Sequence, residues 1–223
     1  MHPQIKVCGL TVPEEAAQCA ALGADAIGVV FYPPSPRNVS LDQARLIREA
    51  LPDHVPTVGV FVDPTWEQLD QAIQHCRLGG VQLQGAETPE LVKRLKGRGD
   101  VRVFKVLFAL RTPFIAEAER YAPHAFLVEC GQGKLPGGNA RAWDWSAARD
   151  LVRLHPTILA GGLDADNAGQ AIGSCLPDAV DASSSLESVP GRKDLEKVGR
   201  FIASVRRTAG LYAAEGRKLR GVY

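Results

Sequence analysis

Eight times along the chain, a short apolar, β-branched run is followed by a longer stretch whose apolar residues recur at helical spacing. The runs are Ile5–Gly9, Ala26–Phe31, Thr57–Val62, Gly80–Leu83, Val101–Phe108, Ala125–Val128, Thr157–Ala160 and Ala179–Ala182. Several are apolar at nearly every position, as a strand covered on both faces must be. The stretches between and after them, predicted as helices, are Pro13–Leu22, Leu41–Leu51, Thr65–Cys76, Pro89–Leu95, Phe114–Tyr121, Ser146–Leu154, Ala165–Gly173 and Asp194–Arg207. Start signals agree: Ser40 precedes Leu41, Asp63-Pro64-Thr65 precedes Trp66, and Thr88-Pro89-Glu90 supplies a cap, a first-turn proline and an early acid. Such alternation implies a parallel sheet with helices on its faces. A doubly wound open sheet shares the pattern, but eight units match the closure of a (β/α)8 TIM barrel, for which 223 residues is slightly short. The expected organisation is a barrel over residues 1–207 and an appended, partly frayed tail over 208–223.

The rest of the composition narrows the partners. Twenty-six Lys and Arg against 25 Asp and Glu leave a net charge of +1, without the basic footprint expected of a nucleic-acid binder. No apolar run is long enough to span a bilayer, and Met1-His2-Pro3-Gln4 lacks the basic-then-apolar order of a secretory signal. Five irregularly spaced cysteines argue for a reducing compartment, so a cytoplasmic protein with no membrane contact is expected. The five histidines, His2, His54, His75, His124 and His155, have no metal-ligand spacing, and no Cys-x-x-Cys pair occurs, so no metal is expected. The run Gly131–Gly138 fits neither the dinucleotide fingerprint nor the Walker A loop, and reads as a long βα loop able to act as a lid.

In a barrel, reactive groups belong where strands end and βα loops begin. Those junctions carry Cys8-Gly9, Ser35-Pro36-Arg37, Gln84-Gly85, Glu129-Cys130, Ala160-Gly161-Gly162 and Asp181-Ala182-Ser183-Ser184-Ser185. Cys8 reads either as a small buried hydrophobe or, once ionised, as a proton acceptor. Cys19, Cys76 and Cys175 fall in helices and read as packing residues. Glu129 reads either as a partner for a nearby cation or as a general acid, which needs partial burial to raise its pKa. Arg37 follows three prolines that stiffen its loop, and its guanidinium is suited to bidentate capture of a planar carboxylate or to an ordinary surface role. Gly161-Gly162 and Ser183–Ser185 follow the last two predicted strands, where such barrels bind phosphate through backbone N–H groups; tight turns alone also use glycine. Asp181 ends the last strand facing the same cavity.

Taken together, these segments resemble the phosphoribosylanthranilate isomerase family of tryptophan biosynthesis. The resemblance runs through Lys6-Val7-Cys8-Gly9-Leu10-Thr11, Gly23–Gly28 into Ser35-Pro36-Arg37, Val58–Val62, Val81-Gln82-Leu83 and Gly137-Gly138 with Asp144-Trp145. It continues through Leu159–Leu163, Val180-Asp181, Ser183-Ser184 and Pro190-Gly191-Arg192-Lys193-Asp194. It implies a cofactor-free Amadori rearrangement of N-(5'-phosphoribosyl)anthranilate to the 1-deoxyribulose 5-phosphate derivative. It also implies Cys8 as general base at ribose C2' and Glu129 as the acid that opens the ring. Arg37 would hold the anthranilate carboxylate, Asp181 the sugar hydroxyls, and Gly161, Gly162, Ser183, Ser184 and Ser185 the phosphate; Gln84 stands among the substrate-binding positions. The expected partner is thus a small phosphorylated substrate, and the chain a monomer or homodimer.

The chain departs from the family pattern at four places. Glu129 stands for aspartate, Gln84 for histidine, Gly137-Gly138-Asn139-Ala140 for Gly-Gly-(Ser/Thr)-Gly, and Ser183-Ser184-Ser185 for Ser-Ser-Gly. The extra methylene of Glu129 moves the carboxyl by about 1 Å, a displacement that can cost roughly 100-fold in rate. A serine at 185 is strained if the loop needs φ > 0 there. Two alternatives stay open at this level: a catalytically weakened paralogue that binds a phosphorylated ligand, and an isomerase of a related aminoaldose phosphate.

Overall fold

A computed structural model describes residues 2–132 and 142–223. Eight parallel strands close in sequence order into a barrel. They are β1 (Gln4–Cys8), β2 (Ala26–Phe31), β3 (Thr57–Phe61), β4 (Gly80–Leu83), β5 (Arg102–Phe108), β6 (Ala125–Glu129), β7 (Thr157–Leu159) and β8 (Ala179–Ala182). The outer ring comprises α1 (Pro13–Leu22), α2 (Leu41–Glu49), α3 (Trp66–Cys76), α4 (Pro89–Lys96), α5 (Arg149–Leu154), α6 (Ala168–Cys175) and α7 (Leu195–Arg207), after which α8 (Ala209–Ala214) follows. Cys19, Cys76 and Cys175 are packed into the apolar layer between strands and helices.

Local chemistry sets the helix starts. Ser40, Thr65 and Thr88 each accept a backbone N–H of the first turn, and Thr65 completes a capping box with Gln68. Three expectations shift. The helix expected over Ser146–Leu154 opens as a 3-10 turn, Trp145–Ala148, and is α-helical only from Arg149. The expected helix over Phe114–Tyr121 is a 3-10 segment, Ile115–Arg120, because Pro113 and Pro123 bracket a stretch too short to reward α nucleation. The expected helix from Ala165 begins instead at Ala168. Asp164 Oδ1 accepts from the N–H groups of Asp166 and Asn167, and Asn167 Oδ1 accepts from Asp164 N, so this segment closes a side-chain-bonded turn first. A hairpin of β9 (Glu187–Val189) and β10 (Arg192–Lys193) follows β8, turning at Pro190-Gly191.

The segment expected to fray is instead docked. Tyr212 is buried, and its hydroxyl donates to Pro177 O at 2.6 Å. Arg217 and Arg220 both reach the fully buried carboxylate of Asp178. Gln4 Oε1 accepts from Val222 N at 2.7 Å and from Tyr223 N at 3.2 Å. Val222 joins Ala26, Val58, Phe104, Ala125, Ile158 and Ala179 in the apolar interior at the amino ends of the strands. The Tyr223 ring meets Phe104 edge-on at 5.6 Å. Small inward residues at this end leave a hollow, and the tail fills it.

Candidate active site

Alternation along a strand sends residues i and i+2 to one face, so Lys6 and Cys8 on β1, Gln82 and Gln84 at β4, and Asp181 and Ser183 at β8 point into the barrel in pairs. Register then brings Lys6 opposite Asp181 across the β1–β8 seam. Lys6 Nζ donates to Asp181 Oδ1 at 2.8 Å, with the lysine fully buried. Burial opposes charge on Lys6, but Asp181 and the neighbouring Cys8 outweigh it and push the ammonium pKa up. The site thus contains a permanent cation.

Cys8 and Glu129 both face this ion pair. Burial pushes the Cys8 thiol up, and the Lys6 charge pulls against it. Gly28, opposite Cys8 in the β1–β2 register, leaves the space the sulfur occupies: a Cβ there would lie 2.6 Å from Sγ. Burial, then the Asp181 charge, raises the Glu129 carboxyl from 4.5 to about 8, against the pull of Arg111, Lys6 and Gln84. Glu129 therefore holds its proton at neutral pH. Gln84 Nε2 donates to Glu129 Oε1 at 2.9 Å. Two of the positions that depart from the family pattern are thus bonded to each other.

The cavity at the carboxyl ends of the strands is lined by Glu129, Gly161, Gly162, Asp181, Ser183, Ser184 and Ser185, which joins the expected acid, the sugar-binding aspartate and both phosphate loops. Cys8, Arg37 and Gln84 are not in its lining, although Cys8 and Gln84 are bonded to the lining residues Ser183 and Glu129. Gly161 and Gly162 take φ of 90° and 68°, a left-handed turn that glycine makes without strain. Ser185 does not need such a φ. It lies in a 3-10 turn, Ser184–Leu186, and its hydroxyl donates to Leu163 O, tying one loop to the other. Ser183 Oγ donates to Cys8 O at 2.9 Å and anchors the strand end that carries the thiol.

Arg37 is oriented otherwise than its loop suggests. Its Nε and Nη2 donate to Glu187 Oε1 and Oε2, each at 2.7 Å, so the bidentate fork expected for a substrate is spent on β9. Lys193 Nζ donates to the same Glu187 at 2.9 Å. Burial alone would raise the Glu187 carboxyl, but Arg37 and Lys193 overcome it and hold it below its ordinary value. Among the described residues, Nη1 of Arg37 makes no hydrogen bond.

Sequence reasoning gave no role to Lys6, Glu187 or Lys193. The signal for Lys6 was present: a lysine inside an apolar strand must be paired. Glu187 carried none, because its partner Arg37 is 150 positions away. The loop departure Gly137-Gly138-Asn139-Ala140, and most of the run beginning at Gly131, lie outside the described residues. Among the described residues no group of three His, Cys, Asp or Glu is placed to hold a metal, and no helix is long and apolar enough to cross a membrane.

An acid that keeps its proton and a thiol beside a fixed cation lie at the end of the barrel where (β/α)8 enzymes do their chemistry, which sets the class as a TIM-barrel enzyme. Comparison with known proteins sharpens the class. The sequence model of the N-(5'phosphoribosyl)anthranilate (PRA) isomerase family matches residues 5–204. The N-(5'-phosphoribosyl)anthranilate isomerase of Desulfatibacillum aliphaticivorans is 50% identical over 208 residues, covering 93% of this chain and 95% of its own. The phosphoribosyl anthranilate isomerase of Thermotoga maritima superposes with a TM-score of 0.85 at 33% identity, over 92% of this chain and 99% of that one. A structure of the enzyme in complex with reduced 1-(o-carboxyphenylamino)-1-deoxyribulose 5-phosphate superposes at 0.82 and 32% identity, with the same coverage. The chain belongs to the phosphoribosylanthranilate isomerase family.

Proposed function

We infer that this chain isomerises N-(5'-phosphoribosyl)anthranilate to 1-(2-carboxyphenylamino)-1-deoxyribulose 5-phosphate, with Glu129 as general acid and Cys8 as general base. The observation that carries this reading is that a thiol from β1 and a protonated carboxyl from β6 face one Lys6–Asp181 pair. Glu129 gives its proton to the furanose ring oxygen. The C1'–O4' bond breaks and the anthranilate nitrogen shares its lone pair with C1', forming a protonated Schiff base. Cys8, as thiolate, removes the C2' proton, and the electron pair of that bond neutralises the iminium to give an enolamine. The enolamine tautomerises to the ketone.

Lys6 pulls Cys8 toward the thiolate that proton removal needs, against a burial that leaves the resting group a neutral thiol, and burial keeps Glu129 protonated. Nη1 of Arg37 is the donor for the anthranilate carboxylate, and Asp181 accepts from the sugar hydroxyls. The Gly161-Gly162 and Ser183–Ser185 loops offer backbone N–H groups and hydroxyls to the phosphate. The ligand in the analogue-bound family structure, a phosphorylated amino sugar, fits the same division. Under this reading the enzyme is cytoplasmic and a monomer or homodimer.

Loss of anthranilate-type fluorescence with purified protein, together with rescue of a tryptophan auxotroph lacking the isomerase, tests substrate and reaction at once. Cys8→Ser and Glu129→Gln are each expected to lower kcat by about 10²–10⁴-fold. Unchanged turnover in either variant removes the role assigned to that residue.

A further inference from the structure

We propose that Trp143, Trp145 and Asn167 are positioning residues for the substrate's phosphate: they take the carbonyls of three consecutive residues after β7 and so turn the N–H groups of Gly161, Gly162 and Leu163 toward the cavity. The proposal rests on the reading of these loops as the phosphate site, and it adds Leu163 as a donor. Trp143 Nε1 donates to Ala160 O at 2.9 Å, Trp145 Nε1 to Gly161 O at 3.4 Å, and Asn167 Nδ2 to Gly162 O at 2.8 Å. Among the described residues these are the only hydrogen bonds that the three carbonyls accept.

Chemistry fixes the direction of each bond. An indole N–H can only donate, and a backbone carbonyl can only accept. The Asn167 amide is anchored at both ends, because its Oδ1 accepts from Asp164 N at 2.9 Å while its Nδ2 meets Gly162 O. In a trans peptide the C=O and the N–H of the following residue point opposite ways, and no cis peptide falls in this segment. Gly161, Gly162 and Leu163 line the cavity beside Ser183–Ser185, whereas the two tryptophans and Asn167 do not. Donors outside the lining thus hold the three carbonyls, and the three N–H groups are sent the other way, toward the hollow.

A second observation points to an anion. Among the described residues, the N–H groups of Gly161, Gly162 and Leu163 have no hydrogen-bond acceptor. Leu163 is 1% exposed, and a buried N–H without an acceptor destabilises a fold. Successive N–H groups aimed into one hollow form a concavity that binds anions. Packing alone would let each side chain find any acceptor; here donors from two separate segments meet three carbonyls in a row.

Trp143→Phe, Trp145→Phe and Asn167→Ala each remove one carbonyl holder. Each variant is titrated with reduced 1-(o-carboxyphenylamino)-1-deoxyribulose 5-phosphate and with the same compound lacking the phosphate, beside kcat, KM and the melting temperature. Trp143→Phe is expected to weaken the phosphorylated ligand by about tenfold, the worth of one charge-assisted hydrogen bond, and to leave the other within about twofold. KM should rise by about tenfold, with kcat within about twofold, as for lost uniform binding. Asn167→Ala should follow in the same direction, and Trp145→Phe, whose bond is longer, to a smaller degree. An equal loss for both ligands overturns the proposal, as does a lower melting temperature with an unchanged preference for the phosphorylated one; either marks a merely structural role. Should Trp143→Phe fail to fold, the other two variants carry the same test. Wild-type protein separates the two levels: if it binds both ligands alike, the phosphate reading itself falls. If it prefers the phosphorylated ligand and every variant prefers it as strongly, only the role of the three side chains is withdrawn.

Discussion

The two ends of this barrel are built from opposite materials. At the carboxyl ends β1 and β6 stop on Cys8 and Glu129, Asp181 is the last inward residue of β8, and Gln84 lies just beyond β4. Glycines at positive φ, among them Gly9, Gly131, Gly161 and Gly162, turn the loops. At the amino ends the inward positions include Ala26, Ala125, Ala179 and Phe104, and Val222 and Tyr223 close the opening from the tail. One end holds buried charge at a cost in stability; the other gains stability by excluding water. The sheet itself separates the two, because every strand runs in the same direction and delivers all its carboxyl ends to one rim.

Substitutions should therefore divide by end. The largest effects are those of Cys8→Ser and Glu129→Gln on turnover, with the fold kept. Next is Tyr223→Ala at the opposite end. Emptying that position should cost about 3 kcal/mol and lower the melting temperature by roughly 6–12 °C, while turnover per folded molecule stays close to wild type. A thermal melt beside an active-site titration checks it; a large fall in kcat with an unchanged melt would dissolve the contrast.

Glu129→Gln makes a further, opposite prediction for stability. Between its ordinary value of 4.5 and about 8, the folded carboxyl keeps a proton that the unfolded chain has released. The folded state binds more protons across that window, so stability falls as pH rises through it. Glutamine does not titrate. The variant should melt close to wild type at pH 4 and progressively above it up to pH 8.5, even as it loses activity. A difference that does not vary with pH would show that Glu129 is not held neutral by the fold.

The smallest effect is that of Tyr223→Phe. The Tyr223 hydroxyl is buried and has no hydrogen-bond partner among the described residues, so deleting it should raise stability by about 1 kcal/mol, or roughly 2–4 °C. A drop instead would mean that the hydroxyl does useful bonding within the barrel.

Much of this molecule was legible along the chain. All eight strands lie within a residue or two of their apolar runs, because alternation and β-branching act over a few neighbours. Cys8, Glu129 and Asp181 could be nominated because the carboxyl end of a strand is a local property. At Ser185 the condition for strain, a positive φ, is not met, because the residue lies in a 3-10 turn. Arg37 was expected to capture a substrate carboxylate with its fork or to lie on the surface. The protein partner that takes the fork was not foreseen, since Glu187 lies on a hairpin whose only sign was Pro190-Gly191. The tail was read as loose because glycines and exposed basic residues look that way until Asp178 and Gln4 are known to receive them.

Sequence alone thus determined where the chain alternates, which residues end each strand, and the family to which the pattern is similar. Tertiary structure decided which charges meet. Lys6 is paired with an aspartate 175 residues away, Glu129 owes its neutrality to burial and to that same aspartate, and the barrel floor is closed by a segment 218 residues from Gln4. Backbone preference is a property of near neighbours, whereas dielectric environment and ion pairing depend on which atoms the closed barrel brings within a few ångströms.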